Sequence, residues 1–149
     1  MRIAVGCDHR GLGLKGALMA YIGRLGHSCQ DFGAYDEDPV DYPDIAGAVA
    51  LAVMEGWSQR GLLVCGTGIG MSMAANKVRG ARAALCHNGL TTLRARQHND
   101  ANILCVGAEV VEEDLAREMV RSFLDTGFEG DRHQRRLDKV RDLEGRALP

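Results

Sequence analysis

The chain has 149 residues, a formal net charge of -2 and 26% charged residues, enough for one hydrophobic core but not for two. It carries no basic block of the kind a nucleic-acid backbone requires, and no apolar stretch approaches the length of a membrane span. The expectation is a soluble cytoplasmic protein with no nucleic-acid or membrane partner, folded as a single domain over residues 1–149.

In chain order, residues 3–7 read as a first strand, cut off by Asp8, His9 and Arg10. Leu12, Leu14, Leu18, Ile22 and Leu25 then recur on one face of a helix running toward Gly26. Residues 27–32 fit a short second strand, and residues 33–42, charged and turn-rich around Pro39, form a loop able to approach a site opening. Ile45, Val49, Ala52 and Val53 resume helical spacing. A central strand over residues 60–65 runs into Cys65-Gly66-Thr67-Gly68-Ile69-Gly70, after which residues 69–76 begin a helix.

Residues 82–86 give another short apolar segment. Leu90, Leu93, Ala95 and Arg96 suit a helix leading into His98, followed by a strand over residues 101–106. Residues 111–123 look helical, with Leu115, Met119 and Val120 on the apolar side and Glu112, Glu113 and Asp114 at an acidic start. Gly127 and Gly130 separate this helix from a polar one beginning at Asp131, which reads as a C-terminal helical arm. Its sparse apolar positions suit a solvated end, an arm across a partner, or a lid over an anionic ligand. The alternation of strand and helix predicts an α/β fold, a three-layer Rossmann-like sandwich with a mostly parallel central sheet and right-handed crossovers. In such a sheet, reactive groups gather near the carboxyl ends of the strands.

The turn after the central strand sets a thiol beside backbone N–H groups, where negative charge is stabilised. Its structural alternative is a tight strand-to-helix connection around a buried cysteine. The turn lacks the lysine and hydroxyl ending of a P-loop, and residues 6–11 do not fit a dinucleotide fingerprint, so a smaller anion suits it better. Asp8 and His9 follow the first strand and reach the same edge. In Arg96-Gln97-His98-Asn99-Asp100, one reading gives His98 a proton-transfer role at sugar ring opening and Asn99 a hydrogen bond to an oxygen-rich ligand. The other makes Asn99 or Asp100 the residue that closes a helix-to-strand loop. Five cysteines cannot all pair internally, and they suit reduced thiols. The histidines form no HExxH arrangement and the cysteines no close CxxC, so neither metal nor cofactor is expected.

Taken together, Gly6-Cys7-Asp8-His9, Asp41-Tyr42-Pro43, Cys65-Gly66-Thr67-Gly68-Ile69-Gly70, Ala74-Ala75-Asn76-Lys77, Arg96-Gln97-His98-Asn99-Asp100 and Gly130-Asp131-Arg132-His133-Gln134-Arg135-Arg136 resemble the ribose-5-phosphate isomerase B family. Related enzymes act on galactose 6-phosphate and allose 6-phosphate. The resemblance covers nearly the whole chain and implies that Cys65 is the enolising base and that Thr67 organises it. It implies that Gly66, Gly68, Ile69 and Gly70 form the anion-stabilising turn, and that His98 and Asp8 assist ring opening. His9, Arg132 and Arg136 would bind phosphate, Tyr42 and Asn99 would contact the sugar, and His133 would support them. A homodimer with composite sites is implied as well, in some members a dimer of dimers.

Some members use an acidic base elsewhere in the turn. Ser72 and Met73 are not acidic here, which places the chain in the cysteine-dependent branch. The stretch His87-Asn88-Gly89-Leu90-Thr91-Thr92 departs from the tyrosine and serine of many members, a change that bears on sugar preference. The expected reaction is reversible isomerisation of D-ribose 5-phosphate and D-ribulose 5-phosphate through a cis-enediol(ate). The alternatives are an isomerase for allose 6-phosphate, galactose 6-phosphate or a tetrose phosphate, and a non-enzymatic phosphosugar-binding module.

Overall fold

Short apolar runs between polar turns become strands because helices bury them on both faces, and longer stretches with three- and four-residue apolar spacing become those helices. The computed structural model describes residues 1–145. Its elements are β1 (Arg2–Cys7), a 3-10 turn (His9–Gly11), α1 (Leu12–Arg24), β2 (Ser28–Asp31), α2 (Tyr42–Met54) and β3 (Arg60–Cys65), followed by α3 (Ile69–Ala75), β4 (Ala83–Leu85), α4 (Gly89–Asn99), β5 (Ile103–Gly107), α5 (Glu113–Asp125) and α6 (Asp131–Glu144). The strands form one sheet in the order β2-β1-β3-β5-β4, and every pairing is parallel.

On one face, Leu18 and Ile22 of α1, Ala95 of α4 and Ala116, Met119, Val120 and Phe123 of α5 pack against Val5, Leu62, Val64, Leu104 and Val106. A buried ring such as Phe123 is worth about 3–5 kcal/mol on the scale of core deletions. On the other face, Ala46, Val49 and Ala50 of α2 and Met71 and Ala75 of α3 cover Ala4, Leu63, Cys65, Ile103 and Cys105. The three-layer sandwich is therefore as expected, with a sheet that is parallel throughout. From β1 the chain moves outward to β2, then crosses back past β1 to lay down β3. This reversal leaves a crevice outside the carboxyl ends of β1 and β3, the usual ligand position in an open α/β sheet.

Two helices start away from their expected positions. α2 begins at Tyr42, ahead of the first apolar repeat at Ile45, because Pro43 sits in the first turn, where its missing N–H costs nothing. α5 begins at Glu113 because Glu112 is extended as its N-cap and Val111 is buried in the preceding turn. The arm, α6, buries only His133 fully. It lies across the amino ends of β4 and β5, where Glu144 Oε1 accepts the Gly80 N–H at 2.9 Å. Beneath it runs a cleft of about 330 Å³ lined in part by Met54, Arg82, Asp100, Leu137 and Val140. Of the domain expected over residues 1–149, the last four positions lie outside the described residues.

Candidate active site

At the carboxyl end of the sheet, β1 stops where Asp8 turns the chain. Asp8 N–H donates to Val64 O at 3.2 Å, and its Oδ1 accepts the N–H groups of Arg10 (3.0 Å) and Gly11 (3.1 Å). The carboxylate is thus buried beside the end of β3 as the cap of the 3-10 turn. His9, half-buried, accepts the Val40 N–H on Nδ1 at 3.4 Å, which ties it to the loop over residues 33–41. Tyr42 opens α2 beside Gly70, where an added Cβ would meet the Tyr42 ring at 2.7 Å. Gly68 adopts φ +78° and has Leu85 Cδ1 at 2.6 Å from its would-be Cβ, so the tight turn accepts glycine alone without strain. Asp8, His9, Tyr42 and the segment from Cys65 through Gly70 therefore converge, as expected.

The sulfur of Cys65 differs from the others in its hydrogen bonding. Cys65 Sγ accepts the Gly68 N–H at 3.1 Å, whereas Cys7 and Cys29 donate to the carbonyls of Ala34 and Met19. An N–H aimed at sulfur is a contact that negative charge on the sulfur strengthens. Burial pushes the thiols of Cys7, Cys29 and Cys86 up, and most strongly that of Cys105, so these favour the protonated form. All five cysteines are free. Cys65 is 5% exposed, beneath a rim on which Thr67 is exposed and Ile69 is 52% exposed. It lines neither of the two larger clefts, both of which run beside α6.

The remaining expected site residues lie at the opposite end of the sheet. α4 runs back against the strands, so His98 and Asn99 in its last turn arrive at the amino end of β5. There Asn102 O accepts the Gly61 N–H at 2.9 Å. At roughly 3.3 Å per residue, β5 holds them about 16 Å from the Cys65 turn along the strand direction. Asp100, with φ 42°, ends α4 in the left-handed conformation, and its carboxylate is gripped by Arg96 Nη1 (2.7 Å) and Arg82 Nη2 (2.8 Å). Asp100 is thus the residue that closes the loop.

His133 of α6 stacks on His98, with ring centroids 4.1 Å apart and planes 8° from parallel. Arg132 and Arg136 flank it and are exposed. Burial foremost, then His98 and the two arginines, holds His133 below the ordinary histidine range, with Glu129 opposing. Within one chain, then, His98, Asn99, Arg132, His133 and Arg136 form a second group that does not meet the first. The expectation that all reactive groups gather at the carboxyl ends is corrected here, because an eleven-residue helix carries its last turn back to the other end.

Several residues at these two places were not singled out from the sequence. Arg10 and Glu109 form an ion pair over Gly66, both within 3.1 Å of its would-be Cβ. Lys15, buried in α1, holds Asp31 through both carboxylate oxygens. Glu129 lies against His98 and His133.

A family model described as Ribose/Galactose Isomerase matches residues 3–140. The chain belongs to the ribose/galactose isomerase family. Over 145 residues it is 42% identical to the ribose-5-phosphate isomerase B of Escherichia coli (strain K12), covering 97% of each chain. It is 41% identical over 143 residues to the D-erythrulose-4-phosphate isomerase of Pectobacterium atrosepticum, covering 94% of this chain and 93% of that one. Among solved structures, the Clostridium thermocellum ribose-5-phosphate isomerase B superposes with a TM-score of 0.96 at 44% identity, over 97% of each chain. The family's extent spans both groups of site residues, from β1 into α6.

Proposed function

We propose that this enzyme interconverts D-ribose 5-phosphate and D-ribulose 5-phosphate through a cis-enediol(ate), with Cys65 as the base that moves the carbon-bound proton. The observation that carries the reading is the Cys65 sulfur accepting a backbone N–H inside a glycine turn at the β1/β3 crevice. His98 or Asp8 transfers the proton that opens the furanose. Cys65 then takes the hydrogen from the carbon beside the carbonyl, charge builds on substrate oxygen against the N–H groups of residues 66–70, and the proton returns to the adjacent carbon. Thr67 at the rim of the turn organises the sulfur's surroundings, and Tyr42 and Asn99 contact sugar hydroxyls. Phosphate is held by His9 and by the guanidinium forks of Arg132 and Arg136, with His133 in support. Base and preorganised donors suffice, so the cycle needs neither metal nor cofactor.

These roles require the two groups to meet, and a homodimer with composite sites supplies that meeting: the amino-end group of one copy serves the carboxyl-end group of the other. In support, Ile69 and Met73 beside the turn are 52% and 63% exposed, an apolar rim suited to cover by a second copy. Such dimers can pair further into a dimer of dimers. Among the described residues no helix is long and apolar enough to cross a membrane, and five free thiols suit a reducing cytoplasm. A second reading, a different aldose phosphate, is favoured by the stretch after β4, where Asn88 caps α4 through a reciprocal bond with Thr91 at the same end of the sheet as Cys65. The D-erythrulose-4-phosphate relative lies in the same direction. A substrate panel of ribose 5-phosphate, allose 6-phosphate, galactose 6-phosphate and a tetrose phosphate tests both readings. Ribose 5-phosphate should give the highest kcat/KM, and negligible turnover beside another sugar would overturn the first choice. Binding without solvent hydrogen exchange at the substrate's α-carbon would point to a phosphosugar-binding module.

A further inference from the structure

We propose that Glu129 is a positioning residue for His98, its carboxylate holding the stacked His98–His133 pair so that His98 presents Nδ1 to the sugar during ring opening. The inference rests on the ring-opening role given to His98 above. The Glu129 N–H donates to Gln97 O at 3.0 Å, which pins Glu129 against the last turn of α4, one residue from His98. Its Oε2 lies 3.7 Å from Nε2 of His98 and 3.7 Å from Nε2 of His133. His133 Nε2 is buried and has no hydrogen-bond partner among the described residues, and the Glu129 carboxylate lies just beyond hydrogen-bond distance of it. The stack sets the plane of the His98 ring, and Glu129 sets its rotation.

Charged groups from α4 and α6 face the pair as well. From α4, Arg94 Nη1 stands 3.5 Å from His98 Nε2, although it also donates to Gln97 Oε1 at 2.8 Å. From α6, Arg132 and Arg136 join burial in disfavouring a charged His133. His133 therefore leans toward its neutral form and serves as the platform on which the half-exposed His98 stacks. Arginine can only donate and carboxylate only accept, so Arg94 at 3.5 Å matches a bare Nε2 on His98 and Glu129 at 3.7 Å an Nε2–H, and the proposed role is that of the second tautomer. With that hydrogen turned to Glu129, Nδ1 faces away from the carboxylate and is free to exchange a proton with the sugar. The three ligand atoms of this cluster fall within 4.8 Å of one another. A divalent ion, however, needs in-plane approach to both rings at about 2 Å, and parallel stacked rings direct their lone pairs side by side rather than to one point.

The test separates ring opening from enolisation. Ribose 5-phosphate is a furanose, whereas ribulose 5-phosphate cannot close a five-membered ring on its carbonyl because its terminal oxygen carries the phosphate. In Glu129→Gln, kcat for ribose 5-phosphate should fall about ten- to a hundred-fold with little change in KM. Solvent deuterium exchange into ribulose 5-phosphate should meanwhile stay near the wild-type rate. Glu129→Asp should recover part of the loss, and it serves as the second variant should the amide fail to fold. Equal losses on both substrates, or none on either, would overturn the proposal. Wild-type protein that neither converts ribulose 5-phosphate to ribose 5-phosphate nor exchanges deuterium into it would instead sink the isomerase reading itself.

Discussion

The two ends of the sheet carry two different kinds of site. At the carboxyl end, backbone does most of the work: a glycine turn with no room for a side chain at Gly68 or Gly70, an aspartate whose Oδ1 caps the 3-10 turn, and a sulfur that takes an N–H bond. At the amino end, side chains do: two stacked imidazoles, a carboxylate and exposed guanidinium groups on a helix that buries only one residue fully. The first kind suits the stabilisation of charge that exists only briefly, and the second suits the capture of charge that the ligand brings with it. On the reading proposed above, a reaction needing both draws on two chains.

The largest expected effect tests the carboxyl-end group alone. Cys65→Ser should retain the fold, since the site accepts a smaller atom, yet lose about a thousand-fold in kcat or more. Comparable turnover would remove the proposed base. Next comes a test of whether the two ends cooperate across chains, by mixing Cys65→Ser subunits with subunits carrying Arg132→Ala and Arg136→Ala. Random reassortment makes half the dimers mixed, each with one intact composite site, so assays should recover about a quarter of the wild-type activity. Recovery no greater than the sum of the two parents would place all of the groups in one chain. The smallest effect concerns the amino end. His133 is held below its ordinary range, so the unfolded chain binds a proton near about pH 6.5 before the folded one does. Stability should therefore rise with pH up to about 6.5 and be lost as acid is added below it. Thermal melts from about pH 5 to pH 7 should show a flatter dependence in His133→Phe, and an unchanged slope would assign the acid sensitivity to other groups.

Much of this was legible in the residue order. β3 was visible as an apolar run buried on both faces, and the glycine turn announced itself by composition. Two helix starts slipped where a cap or a proline outweighed the apolar spacing, at Tyr42 and Glu113, and the strands β2, β4 and β5 differ from their expected bounds by one or two residues. The end of the sheet that His98 occupies was legible too, since a residue just before β5 in a parallel sheet falls at the strand's amino end, and the expectation of a single carboxyl-edge site overlooked that order. What the order of residues could not convey was which side chains the fold stacks together there. Glu129 was hidden for a related reason, since an acid between loop glycines acquires meaning only once two rings are stacked beside it.

Lys15 directs its ammonium group to Asp31 Oδ1 (2.8 Å), Asp31 Oδ2 (2.9 Å) and Ala34 O (2.7 Å), and is itself 3% exposed. Its three hydrogens match these three acceptors, Cys7 N–H donates to Gly33 O beside them, and Val40 N–H donates to His9 Nδ1 at the far end of the loop. The stretch that leads to Tyr42 is therefore moored to the sheet edge at both of its ends, with residues 35–39 exposed between the two moorings.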